Sequence, residues 1–310
     1  MSTPPNAVPE TTFESQVNTP AGRTATRPLY WSVRRELWEN HSIYVAPVAV
    51  AGVILFGFLI SVLHPSAKLR AAWADPAHLR HAILMPYNMA AALIILTACI
   101  VGVFYCLDAL YGERRDRSIL FWKSLPVSDL TTVLSKAGVP LLVLPLVTFA
   151  AIVATQTVML LIGTVILPGK GVPAATLWAQ LPLLKMWLAL LYSLAAMALW
   201  LAPLYGWLLL VSGAVRRATF LWAALPPFAV GIIEKVAFNA THFANLMKYR
   251  LVGWFDRAYD PLLVGRAPIN PLQALTPGKF LCTPGLWIGL VFAVIFLAAA
   301  VRLRRYRGPI

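Results

Sequence analysis

The chain reads as an all-α polytopic membrane protein with about six transmembrane helices, and three observations predict this. Of its 310 residues 59% are hydrophobic and only 12% charged, about half the charge of an ordinary soluble domain. Its mean hydropathy is +0.72. Its apolar residues fall in long runs, each sufficient for a ~30 Å hydrocarbon core, with arginines gathered at the ends of those runs.

Residues 1–28 are rich in Thr, Pro and Ser and predict a disordered tail. They lack the basic start and apolar core of a signal peptide, so no cleavage is expected. Residues 29–42 predict an amphipathic helix lying in the membrane interface. Tyr30, Trp31, Val33, Leu37 and Trp38 share one side at 3.6 residues per turn. Ser32, Arg35, Glu36, Glu39 and Asn40 share the other, with Arg34 the exception. Residues 43–310 form the predicted six-helix domain.

The first two spans are expected over about 43–63 and 87–110, joined by a polar connection that holds His64, His78 and His81. Solvated loop histidines are the ordinary reading of these three, with metal binding as the alternative. Asp108 lies near the inner end of the second span, where its carboxylate can reach the interface. A third run, 137–167, would make a helix of about 46 Å, longer than a bilayer needs. Either it tilts and projects, or Pro140 and Pro145 separate a short inner piece. The fourth and fifth runs cover about 181–211 and 219–238. Glu234 at the end of the fifth is a possible intramembrane polar site, and a local ion pair with Lys235 is the simpler reading. Residues 239–282 are long and only partly polar, which suits an interfacial or re-entrant outer segment. The last span runs over about 284–301 and stops at Arg302, Arg304, Arg305 and Arg307.

Net charge is +14, from 26 basic and 12 acidic residues. In a soluble protein that excess would point to nucleic acid. Here the arginines flank apolar runs, so attraction to anionic lipid and control of orientation account for them, and no nucleic-acid partner is expected. Fifteen basic residues fall in the four segments that a cytoplasmic placement of both termini puts inside, against nine in the outer segments. Cys99, Cys106 and Cys282 lie in or beside apolar runs and read as packing residues.

The densest charge is the loop 111–136, YGERRDRSILFWKSLPVSDLTTVLSK. Glu113, Arg114, Arg115, Asp116 and Arg117 precede an apolar patch that includes Phe121 and Trp122. Lys123 follows, and after Pro126 the Ser128–Asp129 pair opens the next helix as an N-cap with an acid behind it. A positive-inside topology loop and a docking surface for a soluble partner both have this composition.

Catalytic chemistry is missing. The runs Pro168-Gly169-Lys170-Gly171 and Pro277-Gly278-Lys279-Phe280 lack the leading glycine and following hydroxyl of a phosphate-binding loop. Neither a zinc-protease motif nor a glycine-flanked serine nucleophile occurs. The expectation is therefore no enzyme activity, no cofactor and no metal. An ion-coupled secondary transporter or a membrane scaffold without transport remains the alternative reading.

The run Tyr111–Ser128, with Thr283-Pro284-Gly285-Leu286-Trp287 and Arg302-Leu303-Arg304-Arg305-Tyr306-Arg307, resembles a bacterial branch of the ABC transporter permeases of the ABC-2 exporter type. The resemblance covers residues 29–310. It implies a homodimer or heterodimer of permease subunits in the bacterial inner membrane, paired with a separate cytoplasmic ABC ATPase. On that basis Glu113, Arg114, Arg115, Asp116, Arg117, Phe121, Trp122 and Lys123 would contact the ATPase. The interfacial helix, with Tyr30, Trp31, Leu37 and Trp38, would brace the loop.

Overall fold

A computed structural model of the chain describes residues 28–118, 128–260 and 270–306. The tail 1–27, the loop centre 119–127 with Phe121, Trp122 and Lys123, and residues 261–269 and 307–310 lie outside the described residues. The described chain is helical, without a strand; one isolated bridge joins Tyr259 and Leu275. Six helical stretches are long and apolar enough to cross a membrane, as the sequence predicts, and this is a multi-pass membrane protein.

In chain order α1 (Pro28–Glu39) leads through Asn40 and His41 into α2 (Ser42–Leu63), the first span. The expected polar connection is largely helical. Ser66 caps α3 (Ala67–Ala74) by accepting from the Leu69 N–H at 3.3 Å, and α4 (Pro76–Ala109) begins two residues later. A short α5 (Tyr111–Arg115) follows. Ser128 then accepts from the Thr131 N–H at 3.1 Å and starts α6 (Asp129–Gly138). This helix runs without a break through a π-helical turn, Val139–Val143, into α7 (Leu144–Ile166). Pro140 and Pro145 each remove an intrahelical donor, and the backbone answers with a wider turn rather than an interruption.

The fourth span, α9 (Leu183–Ala214), follows α8 (Ala174–Gln180) and is the most buried of the six. Its strongest packing is against α13 (Pro284–Tyr306). A Cβ added at Gly206 would lie 3.3 Å from the Ala293 carbonyl oxygen and 3.4 Å from Phe296 Cβ. Glycine there lets the two backbones approach as small residues do in membrane bundles.

The fifth span, α10 (Thr219–Phe238), is nearly peripheral, with Ala223 its one buried residue. Pro227 cannot donate to the Ala223 carbonyl four residues back. The Trp207 indole N–H of α9 fills that role at 3.2 Å, so the helix passes its Pro226–Pro227 pair intact. Beyond it, α11 (His242–Ala258) and α12 (Pro277–Leu281) bring Tyr249 and Phe280 against Trp200 of α9. Trp200 is fully buried. Arg250 lays its guanidinium over the same indole, 5.3 Å from the ring centre, and donates to the Gly285 carbonyl of α13 at 2.6 Å.

The close α9–α13 crossing carries a prediction. Gly206→Leu forces the helices apart at an estimated cost of about 1–3 kcal/mol, which lowers the thermal midpoint in detergent. Gly52→Leu, at a site with open space around the missing Cβ, leaves the midpoint unchanged. Equal midpoints for the two variants would show that α9 and α13 do not support each other there.

Candidate functional site: a buried ion network beneath the charged loop

Residues α1, α5, the start of α6, the end of α9 and the end of α13 all meet at one end of the bundle. Both described ends of the chain therefore lie at the same end as the loop. Six ionised side chains interlock there. Glu36 of α1 accepts from Lys136 Nζ at 2.9 Å, from Arg35 Nη2 at 2.8 Å and from the Tyr105 hydroxyl of α4 at 2.9 Å. Glu113 of α5 faces Lys136 at 3.2 Å, Arg304 at 3.0 Å and Arg35 at 3.4 Å. Arg304 also reaches Asp129 at 3.1 Å. Three acids, Glu36, Glu113 and Asp129, interlock with three bases, Arg35, Lys136 and Arg304, and Glu39 joins at the rim, 3.5 Å from Arg35.

The burial is deep. Glu36 is 1% exposed, Lys136 2%, Arg304 5% and Glu113 8%. Such charges persist away from water only because each has several partners, and removing one partner strands another. Burial pushes the Glu36 carboxyl upward, but Lys136 and Arg35 more than offset it and hold it below the usual carboxylate range. Glu39, on the rim of the same helix, goes the other way because its burial outweighs the pull of Arg35.

A second set of contacts fastens α5 to α9. The Ser212 hydroxyl accepts from the backbone N–H groups of Leu110 and Tyr111 at 3.0 and 2.9 Å. Arg114 Nη1 donates to the carbonyls of Gly213 and Val215 at 2.9 and 3.2 Å, which satisfies the free carbonyls at the C-terminus of α9.

These contacts divide the residues expected to meet a partner. Glu113 and Arg114, at 8% and 4% exposure, point into the bundle and are committed to other helices. Arg115, Asp116 and Arg117 are exposed, with Arg115 paired to Asp116 at 2.9 Å and Arg117 in the left-handed region at φ 58°. Asp129 has a second task besides opening α6, since it holds Arg304.

The interfacial helix is oriented otherwise than its periodicity suggests. Its expected polar face, Arg35 and Glu36, turns inward onto α6. Leu37 is half-buried against the core, while Tyr30, Trp31 and Trp38 point away from the protein. The physical reason is Lys136: its ammonium needs a buried carboxylate, and Glu36 supplies one.

Among the described residues Glu234 makes no ion pair with Lys235. Its two carboxylate oxygens accept from the His242 and Phe243 N–H groups at 2.8 and 2.7 Å, capping the N-terminus of α11, while Lys235 donates to Asn239 at 2.9 Å. Asp108 is exposed, beside Gly112. His78 pairs with Asp75 at 2.6 Å, and among the described residues no group of three or more metal-ligating side chains forms.

Lys136→Ala should cost about 3–5 kcal/mol, because it leaves Glu36 and Glu113 short of a cation. The double variant E36Q/K136M should recover much of that loss, and a thermal-melting double-mutant cycle measures the coupling. The network also predicts acid sensitivity. A carboxyl held below its ordinary value of 4.5 contributes stability that is complete above 4.5 and is lost as pH falls through the lower folded value. Thermal midpoints should therefore drop below pH 4.5, and E36Q should show a shallower acid drop.

No protein-family profile, no curated protein and no solved structure matches this chain.

Proposed function

We propose that this chain is the membrane subunit of a bacterial ABC exporter of the ABC-2 type, driven by a separate cytoplasmic ATPase through the loop 111–136. The observation that carries the reading is the mounting of that loop. Its first turn is tied to α1, α9 and α13 through Glu113 and Arg114, and its far side is tied to α1 and α13 through Lys136 and Asp129. A force on the loop is thus delivered to three other elements at once, as an energy-input segment requires. A loop that only fixed topology would need charge alone, without a buried network at its root.

On this reading the loop residues divide into two roles. Glu113 and Arg114 transmit, while Arg115, Asp116, Arg117 and the run from Phe121 to Lys123 make the contact. The basic end of the bundle is then the cytoplasmic face of the plasma membrane, with α11 and α12 on the outer side. Two copies would form the substrate path, flanked by the apolar outer surfaces of spans such as α10.

The test is direct. The tagged chain, isolated from its native membrane, should carry an ATPase whose hydrolysis rate rises in its presence. R115A/D116A/R117A should weaken that association about tenfold while leaving the thermal midpoint unchanged. A triple variant that binds and stimulates the ATPase normally would remove the loop from the coupling role. Ion-driven transport by the chain alone would establish the carrier reading instead, and partner recruitment without transport the scaffold reading.

A further inference from the structure

We propose that the outward face of α1 binds the phosphate of an anionic phospholipid, with Arg34 as the ligand and Trp31 and Trp38 as its walls. The inference rests on the membrane-spanning character of the chain and stands apart from the transport reading.

Three observations carry it. First, α1 is joined directly to a membrane span, which brings it to the interface. It ends at Glu39, and α2, a membrane span, begins at Ser42, so two residues separate the helix from the hydrocarbon boundary. Second, the helix is turned with its charges against the protein and its large aromatics away from it. Trp31 is 58% exposed and Trp38 68%, with Tyr30 beside Trp31 at 5.4 Å between ring centres. Indole and phenol rings left outside at this level suit the lipid interface, where one edge is apolar and the other wet. Third, Arg34 stands between the two indoles, its Cζ 5.4 Å from the Trp31 ring centre and 5.1 Å from that of Trp38. The positions i−3 and i+4 put one ring on either side of it along the helix.

The chemistry of this arrangement is specific. Stacking engages the flat faces of a guanidinium and leaves its in-plane N–H groups free to donate. Arg34 is exposed, and none of its donors has a protein acceptor among the described residues. Its neighbour Arg35 is already committed to Glu36 and Glu113. A planar, pre-stacked donor fork at the interface matches two oxygens of a phosphate. The net charge of +14 favours a lipid with net negative charge over a zwitterionic one.

The experiment is lipid retention by the full chain. Purified in detergent and stripped of lipid, the protein is offered phosphatidylglycerol or phosphatidylcholine, and bound lipid is counted by native mass spectrometry. The wild type should prefer phosphatidylglycerol, R34Q should lose about fivefold of that preference, and R34K should keep part of it. W31A/W38A should behave like R34Q. Arg302→Gln, at an exposed arginine of the same end, should change little. Excess inorganic phosphate should not displace the lipid. Equal retention by R34Q and wild type, equal binding of the two lipids, or an R302Q loss as large as that of R34Q would overturn the assignment. In the first of these cases the aromatic face of α1 belongs to a protein partner instead. Thermal midpoints of the variants, expected at the wild-type value, separate lost binding from lost fold.

Discussion

Everything at the loop-bearing end depends on Glu113 being a carboxylate inside the protein. A single ionised oxygen pair accepts from a helix before the first span, from the start of the third and from the end of the last. In water these contacts would contribute little, since exposed ion pairs are screened and entropically costly. Inside, the balance changes: each ion has been stripped of water, so each partner is required. The result is a joint that fixes register among helices distant in sequence. Together with the Glu36–Lys136 pair, it keeps the twelve-residue α1 turned with Arg35 and Glu36 toward the bundle.

Spans and caps were legible before the structure because they follow from local rules. Apolar run length sets a span, and Ser128 followed by Asp129 sets a helix start, whatever surrounds them. The network was not legible in that way. Glu36 sits among Arg35, Glu39 and Asn40, and helical periodicity assigns all of them to water. Only a partner one hundred positions away, Lys136, reverses the assignment. Arg304 left a fainter signal. It continues a face that runs through Gly289, Ala293, Leu297 and Ala300 at spacings of three and four, and that face is the packed side of α13. Its neighbours Arg302 and Arg305 fall off that line and stay exposed.

Proline inside a helix removes a donor, and here the spans absorb the loss. Pro140 lies in a π turn and Pro145 just beyond it, and neither interrupts the third span. Another pair crosses the fifth span with an indole N–H standing in for the missing donor. The first is an adjustment within the helix, while the second rests on a neighbour that composition cannot name. Glu234 likewise has partners that its local sequence does not name, since it caps the start of the next helix.

The last helix joins two fixed points. Near its start Arg250 grips the Gly285 carbonyl while Trp200 backs the guanidinium, and near its end Arg304 is held by Glu113 and Asp129. These moorings, Gly285 and Arg304, lie about 29 Å apart along one continuous helix, with no proline after its first position. A rod pinned at both ends cannot spin or slide at one surface alone. Displacement at the charged end is therefore resisted at the other, and α13 is a single strut between the Glu113 joint and the Trp200–Arg250 contact.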